Sequence, residues 1–454
     1  MPWAERFFRL KERGTTLRTE ILGGATTFAT MAYIIVVNPA ILKEAGLPVG
    51  PSTVATILVA VAGSLMMGLY ANRPLAVAPY MGENAFIAYT LAAMGIGWAL
   101  ALGAVFVSGV VFLVITLLHV RTWLANSIST SMKHSFAVGI GLFLAFLGLY
   151  HAGIVTSFQE GQATPATAFL PKPDVPVRLG DFHDPRVQLA LFGFAVTIIL
   201  MCWSCKGAIL IGIVATATVG YLMGFGELPK AVVAMPFSGD LDLSPIAFKL
   251  EIAEVFKWDF LPILLTLFLM SFLDTLGTLV GVGAAAQMLD EHGNFPEMER
   301  PMLVDAASCI FAALMGTSTS GAYIESAAGV REGARTGLAA VTTALLFAAA
   351  LFFIPLVQPL QRLSYAYGPA LIVVGAMMLG TVTKIDFNDL TEGVPAFVTL
   401  AMIVFTCNIG NGLTAGLILY PLLKIAAGRG RELNSGAIVL GLACLAYYMF
   451  GLPH

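Results

Sequence analysis

The strongest constraint on this chain is the recurrence of apolar stretches close to the roughly 20 residues that a helix needs to cross a bilayer. They fall at about 21–42, 53–71, 75–93, 98–119, 134–153, 187–205 and 207–226. A second set follows at about 259–283, 301–316, 317–330, 337–357, 366–383, 394–410 and 412–427. That is seven and seven. A further apolar run, 435–450, is left over and reads as a span, a re-entrant piece or an interfacial helix. Composition agrees with this reading. Charged residues make up 11% and hydrophobic residues 58%, against about 25% charged in a soluble domain. So few charges could not cover a soluble surface without large apolar patches. The chain is expected to be an all-α polytopic membrane protein.

A net charge of −3 removes the electrostatic case for a nucleic-acid partner. Cys202, Cys205, Cys309, Cys407 and Cys444 lie in or at the edges of apolar runs and read as inert membrane-buried thiols. The basic lead Arg6, Arg9, Lys11, Arg13 and Arg18 is followed by no small-residue cleavage pattern, so no cleavable signal is expected. With the N-terminus inside, Arg121, Lys133, Lys206, Arg331, Arg335 and Lys384 fall near cytoplasmic ends, as do Lys424, Arg429 and Arg431 if fourteen crossings precede them. The polar stretches 154–186 and 227–258 read as ordered surface loops, the second with a short helix over 245–257.

Each half contains a short, interrupted third segment. Residues 74–84 read Pro-Leu-Ala-Val-Ala-Pro-Tyr-Met-Gly-Glu-Asn, and residues 316–325 read Gly-Thr-Ser-Thr-Ser-Gly-Ala-Tyr-Ile-Glu. Pro74, Pro79 and Gly82 break the first, and Gly316 and Gly321 loosen the second. Broken segments at matching places in two halves point to a transporter site, because half-helix ends there are free to meet a solute. Chance is the competing reading, since Gly and Pro are frequent in membrane helices.

Ionisable residues inside such spans are costly and need a reason. Asp274 lies deep in an apolar run, with no Lys or Arg at i±3 or i±4, and shares a helix face with Ser271 and Thr278. Glu325 follows a run of four hydroxyls and falls in the first turns of a half-helix if that begins near Gly321 or Ala322. A carboxyl in a partly dry pocket there could take up a proton, which suits a proton-coupled carrier. Asn84 offers both a donor and an acceptor, or serves as structural glue. Its neighbour Glu83 either lines the pocket or caps the half-helix. Thr26, Thr27 and Thr30 read as bonding back to their own helix, and Asp305 as reaching toward the interface. Asn408 and Asn411 read as closing backbone gaps at a helix break, and His119 and His151 as segment-end residues without visible partners. No cofactor, ATP site, metal cluster or catalytic constellation is indicated, and the chain is not expected to be an enzyme.

These residues resemble a known family. The runs 24–34 (Gly-Ala-Thr-Thr-Phe-Ala-Thr-Met-Ala-Tyr-Ile), 78–86 and 272–279 (Phe-Leu-Asp-Thr-Leu-Gly-Thr-Leu) carry the likeness. So does the run from Gly316-Thr317-Ser318-Thr319 through Glu325 to Val330, closed by Gly333 and Arg335-Thr336-Gly337. In this order they resemble azaguanine-resistance-type purine permeases of the nucleobase–cation symporter-2 superfamily. The resemblance implies about 14 segments in two inverted repeats, 1–230 and 231–454. It also implies a core domain over about 15–125 and 259–357, moving against a gate domain over about 130–230 and 362–454. It further implies proton-driven import of adenine, guanine or hypoxanthine, a bacterial inner-membrane location and a homodimer. By motif, Asn84, Asp274 and Glu325 fall at the purine-binding positions. Phe28, Phe86 and Tyr323 are candidates to stack on the base, with plain packing as the competing reading, and Thr278 and Ser326 are further candidate contacts. Glu325 is the first candidate for the coupling proton, then Asp274 and Glu83. The chain departs from the family's usual Ala-Pro-Gly-Met-Gly-Leu-Asn at Tyr80 and Glu83. An anion or other small-solute carrier of the same architecture is the alternative function.

Overall fold

The computed structural model describes residues 3–118, 127–157, 177–229, 231–257, 260–286, 288 and 297–450. Arg121, His119 and much of the 154–186 loop lie outside them. In chain order the first half runs α1 (Leu17–Met31), α2 (Ile34–Leu42), α3 (Val49–Met66), strand β1 (Val77–Pro79), α4 (Met81–Ala85), α5 (Trp98–Leu117) and α6 (Thr130–His151). It continues with a small hairpin, β2 (Val155–Ser157) and β3 (Val177–Leu179), then α7 (Pro185–Cys202) and α8 (Ala208–Leu222). The second half runs α9 (Leu261–Ala285), α10 (Glu299–Met315), β4 (Ser320–Ala322), α11 (Ser326–Arg331), α12 (Gly337–Ala350), α13 (Ser364–Met378), α14 (Leu390–Phe405), α15 (Ile409–Ala426) and α16 (Ser435–Phe450). Among the described residues nine helical stretches are long and apolar enough to span a bilayer, and three further apolar helices are shorter. The molecule is an all-α polytopic membrane protein.

Side chains set several of the helix starts. Thr16, Ser129, Asp184, Asp389 and Asn408 each accept a backbone N–H of the following first turn. Asn408 does so from the Asn411 N–H at 3.2 Å, as its place at a helix break suggested. Thr30 bonds back to the Thr26 and Thr27 carbonyls. The first apolar run is two helices, α1 and α2, with a turn at Ala32–Tyr33. Over 245–257 the expected helix is reduced to one 3-10 turn, Ala253–Phe256. Cys202 is exposed at the end of α7 and Cys205 half-buried beyond it, so these two thiols are not buried within the bundle; all five cysteines are free. The run 435–450 is a helix, α16, seated on α15, where Gly441 closes on Leu417 and Pro421.

Two sets of helices pack among themselves. In one, α1 lies on α11 and α12, α3 on α2, α10, α12 and β1, and α5 on α9 and α10. In the other, α6 lies on α13 and α14, α7 on α8 and α13, and α14 on α15. With lipid outside, such packing depends on close backbone approach through small residues. A Cβ on Gly337 would sit 2.0 Å from the Gly68 carbonyl oxygen, and one on Gly375 2.3 Å from that of Gly141.

A carboxylate fixes one of these contacts. Glu20, on α1 and fully buried, accepts from the backbone N–H groups of Arg335 (2.7 Å), Thr336 (3.2 Å) and Ala339 (3.2 Å) at the start of α12. A helix N-terminus has unpaired donors and a positive dipole end, and both favour an anion. The Arg335-Thr336-Gly337 string is therefore the receiving end of a cap supplied by another helix. Glu20→Ala is expected to cost about 2 kcal/mol, with Glu20→Gln retaining part of it. Thermal unfolding of the detergent-solubilised variants checks this.

At one end of the second set, Lys424 is only 3% exposed and pairs with Glu432 (2.9 Å) and Glu392 (3.1 Å). Arg429 reaches Asp389 at 2.7 Å. Thr391 and Arg429 hold the Asp389 carboxyl well below its ordinary range, and Arg429 and Lys424 hold that of Glu432 at about 2.

Candidate functional site

Strands β1 and β4 pair antiparallel, Val77 against Ala322, Ala78 against Gly321 and Pro79 against Ser320. The Tyr80 N–H donates to the Thr319 carbonyl and the Tyr323 N–H to the Ala76 carbonyl, each at 2.9 Å. Every residue of both strands is buried. Extended backbone is tolerated inside a membrane protein only where protein satisfies it, and here each broken segment satisfies the other. Hydroxyls complete the pairing. Ser64 both accepts from the Val77 N–H and donates to its carbonyl, and Ser326 accepts from the Ala76 N–H at 3.0 Å. Ser326 thus holds the strand. Each strand is followed by a short helix, β1 by α4 and β4 by α11.

Glu325 is 9% exposed and sits at the N-cap of α11, one residue ahead of the helix that was expected to begin near Gly321. Its Oε1 accepts from the Tyr33 hydroxyl at 2.7 Å. Tyr33 stands at the turn between α1 and α2 and was not singled out in the sequence, although it lies within the 24–34 run. Asp274, halfway along α9, is partly exposed. Among the described residues it has no side-chain hydrogen-bond partner, and its electrostatic neighbours are Glu83, Tyr80 and Tyr323. Glu83, fully buried, receives the Ser271 hydroxyl at 3.5 Å.

Asn84 is the centre of a buried amide–hydroxyl network. Its Nδ2 donates to Asn38 Oδ1, and its Oδ1 accepts from the Ser318 hydroxyl. Asn38 in turn donates to Thr56 (2.6 Å) and Thr317 (3.2 Å). Among the described residues the other contact of Asn84 Nδ2 is the Met81 sulfur, at 3.9 Å. The hydroxyl run 317–320 is thereby accounted for in large part: Thr317 and Ser318 serve this network, and Ser320 bonds Ser308 at 2.6 Å.

Asp305 corrects an expectation. It does not reach toward the interface but is fully buried behind β4. Its Oδ2 accepts from the Ala322 N–H (3.0 Å), the Thr275 hydroxyl (2.9 Å) and the Tyr80 hydroxyl (3.4 Å). The cue was in the sequence, an acid five residues into an apolar run, and nearness to its start was the wrong reason to discount it. Among the candidate aromatics, Tyr323 lies parallel to Tyr80, with ring centroids 6.2 Å apart, and donates its hydroxyl to the Pro79 carbonyl. Phe28 meets Phe347 edge-on at 5.0 Å, Phe86 is buried within the core, and Thr278 is buried on α9.

His151 also has partners that the sequence did not reveal. The Tyr89 hydroxyl lies 2.5 Å from its Nε2, and the Tyr367 ring lies 5.7 Å from the imidazole, centroid to centroid. Tyr89 belongs to the turn extending α4, whereas His151 and Tyr367 belong to α6 and α13, so this contact joins the two helix sets. The adjacent Thr90 hydroxyl makes a second such link, to the Cys407 carbonyl at 3.0 Å.

A permease-family profile, that of the xanthine/uracil permeases, matches residues 18–414. The protein MJ0326 of Methanocaldococcus jannaschii is 43% identical over 97% of this chain and 97% of its own. The guanine/hypoxanthine permease PbuO of Bacillus subtilis is 36% identical over 96% and 98%. The adenine permease AdeP of Escherichia coli is 37% identical over 98% and 96%. Among solved structures, the transmembrane domain of the bicarbonate transporter BicA from a cyanobacterium superposes with a TM-score of 0.62 over 88% of this chain and 97% of that domain. At 17% identity that likeness speaks to the fold. The chain belongs to the xanthine/uracil permease family of nucleobase–cation symporters, whose members are membrane transporters and not enzymes.

Proposed function

We propose that this permease imports purine bases (adenine, guanine or hypoxanthine) across a cytoplasmic membrane by proton symport, with alternating access between its two helix sets. The observation that carries the reading is the group of membrane-embedded acids, Asp274, Glu325 and Glu83, around the crossed strands without a basic partner among the described residues. A neutral purine presents N–H donors and ring-nitrogen acceptors at its rim. Asp274 and Glu325 accept the former, and the second N–H of Asn84 serves the latter. Tyr323, Phe28 and Phe86 supply apolar faces, while Thr278 and Ser326 complete the wall. Glu325 carries the coupling proton, exchanging it as the Tyr33 contact is made and broken.

The relatives named for adenine and for guanine and hypoxanthine support the purine class. Anion carriage, the activity named for BicA, requires a site with net positive charge, and the acids here oppose it. In the proposed architecture fourteen segments form two inverted repeats. The set containing β1 and β4 is the core that moves, the set built on α6 and α13 is the gate, and two copies of the chain associate. Uptake of radiolabelled adenine, guanine and hypoxanthine in a permease-deficient host tests the function. Accumulation of at least one base, abolished by a protonophore, is expected; no accumulation of any purine would refute it.

A further inference from the structure

The amide–hydroxyl network around Asn84 has a fixed sense, and a residue remote from Asn84 sets it. At its far end the Thr56 hydroxyl donates to the Ser52 carbonyl, near the start of α3, at 2.7 Å. A carbonyl carries no hydrogen, so the single proton of that hydroxyl is committed there. Thr56 Oγ1 is then an acceptor toward Asn38, 2.6 Å away, and the Asn38 amide has to turn its Nδ2 to it. Asn38 Oδ1 is thereby directed at Asn84, which answers with its own Nδ2. Asn84 Oδ1 is left to accept from the Ser318 hydroxyl. Donation thus runs one way, from Ser318 through two amides to a main-chain carbonyl of α3.

The other hydroxyls do not impose this sense. Thr317 receives Asn38 Nδ2 at 3.2 Å and makes no other hydrogen bond among the described residues, so its hydroxyl is free to turn and donate instead. A serine such as Ser318 can likewise donate or accept. Thr56 differs because its own helix holds its proton. Asn38, Thr56, Asn84, Thr317 and Ser318 are all fully buried. Away from water, a reversed amide would set oxygen against oxygen with no solvent to relieve the loss. The second N–H of Asn84 has no oxygen or nitrogen acceptor among the described residues, the Met81 sulfur lying 3.9 Å from Nδ2. Asn84 is therefore held as a donor with one hydrogen to spare.

We propose that Thr56 and Asn38 are specificity-determining positioning residues, which lock the Asn84 amide so that it selects bases carrying an unprotonated ring nitrogen opposite its spare N–H. The inference rests on the purine reading and deepens it. Reversal of the network would put the Asn84 oxygen where the N–H now stands, and two lone pairs would then face each other across the contact. The same nitrogen that is favoured by the present sense would be disfavoured by the other. Selection at Asn84 is in this way set by a hydroxyl on α3, two hydrogen bonds removed.

The test compares dissociation constants of the purified full-length carrier for adenine and hypoxanthine with those for analogues in which C–H replaces one ring nitrogen. The analogues are 1-, 3- and 7-deazaadenine and 3- and 7-deazahypoxanthine. The wild type should bind one of them at least about tenfold more weakly than its parent base, because a buried donor is then left unpaired. Thr56→Val and Thr56→Ala remove the hydroxyl that restricts Asn38, and the ratio for that analogue should fall to within about twofold of unity. Thr56→Ser keeps the acceptor and should keep the wild-type ratio. Thr317→Val removes a partner of Asn38 without removing the constraint, so it should weaken parent and analogue alike and leave the ratio unchanged. A merely structural Thr56 would lower every affinity by a common factor, and an unchanged ratio in both Thr56→Val and Thr56→Ala overturns the proposal. A wild type that binds every analogue as tightly as its parent overturns it too, while leaving the transport reading intact. Failure to bind either parent base would overturn both.

Discussion

Asp274→Asn is expected to weaken purine binding and exchange together by roughly 10- to 150-fold, whereas Glu325→Gln should lose accumulation while keeping measurable counterflow. The two acids stand in different circumstances. Asp274 makes no side-chain hydrogen bond among the described residues, so its carboxylate is open to a purine N–H. Removing the charge forfeits a charge-assisted bond worth about 1.5–3 kcal/mol, or roughly 10- to 150-fold in affinity. Glu325 is already engaged by the Tyr33 hydroxyl at 2.7 Å. Its amide analogue can keep a bond to Tyr33 and one to the base, but it cannot take up and release a proton. Counterflow needs only the loaded carrier to reorient, while accumulation needs the proton cycle. Tyr33→Phe should fall between the two, shifting the pH dependence of uptake without removing exchange. Reconstituted variants assayed for binding, counterflow and gradient-driven accumulation over pH separate these outcomes. A Glu325→Gln carrier that still concentrates purine with an unaltered pH profile would move the coupling role to Asp274 or Glu83.

What made these two acids legible was their isolation. Each interrupts an apolar run, and neither has a basic residue one helical turn away. The broken segments were legible for a similar reason: Pro74 and Pro79 break the first apolar run, and Gly316 and Gly321 loosen the second. The residues that hold the site together were harder to see. Asn38, Tyr33 and Asp305 act through partners 17 to 292 positions away, and single-sequence patterns carry no information about such pairings. Glu20 lay at the rim of a span, where a charge needs no explanation, so its capping of α12 was invisible. The Tyr89–His151 contact joins segments that only packing brings together. Local chemistry thus marked the acids within the apolar runs, and long-range packing chose their supports.

The second large effect expected is at Gly321, where the two broken segments cross. A Cβ there would lie 2.2 Å from the Tyr80 hydroxyl and 2.8 Å from Asp305 Oδ2. Neither neighbour can yield easily. Tyr80 is held by Thr275 at 3.2 Å and lies parallel to Tyr323, and Asp305 holds the Ala322 N–H of the same strand. Gly321→Ala should therefore force the strands apart, with an overpacking cost of about 1–3 kcal/mol and loss of most uptake. Displacement of β4 would carry Glu325, three residues beyond it, out of register with Tyr33. A second substitution supplies the control. Tyr80→Gly removes the hydroxyl and ring that the new methyl would strike. The 2.8 Å approach to Asp305 Oδ2 remains, and the carboxyl must shift to relieve it. In the double variant uptake should recover well above that of Gly321→Ala alone, and thermal stability should recover with it. Rescue of stability without rescue of uptake would mean that Tyr80 contributes to the substrate site itself. Failure to rescue either would show that the Asp305 approach, and not Tyr80, sets the spacing of the crossed strands.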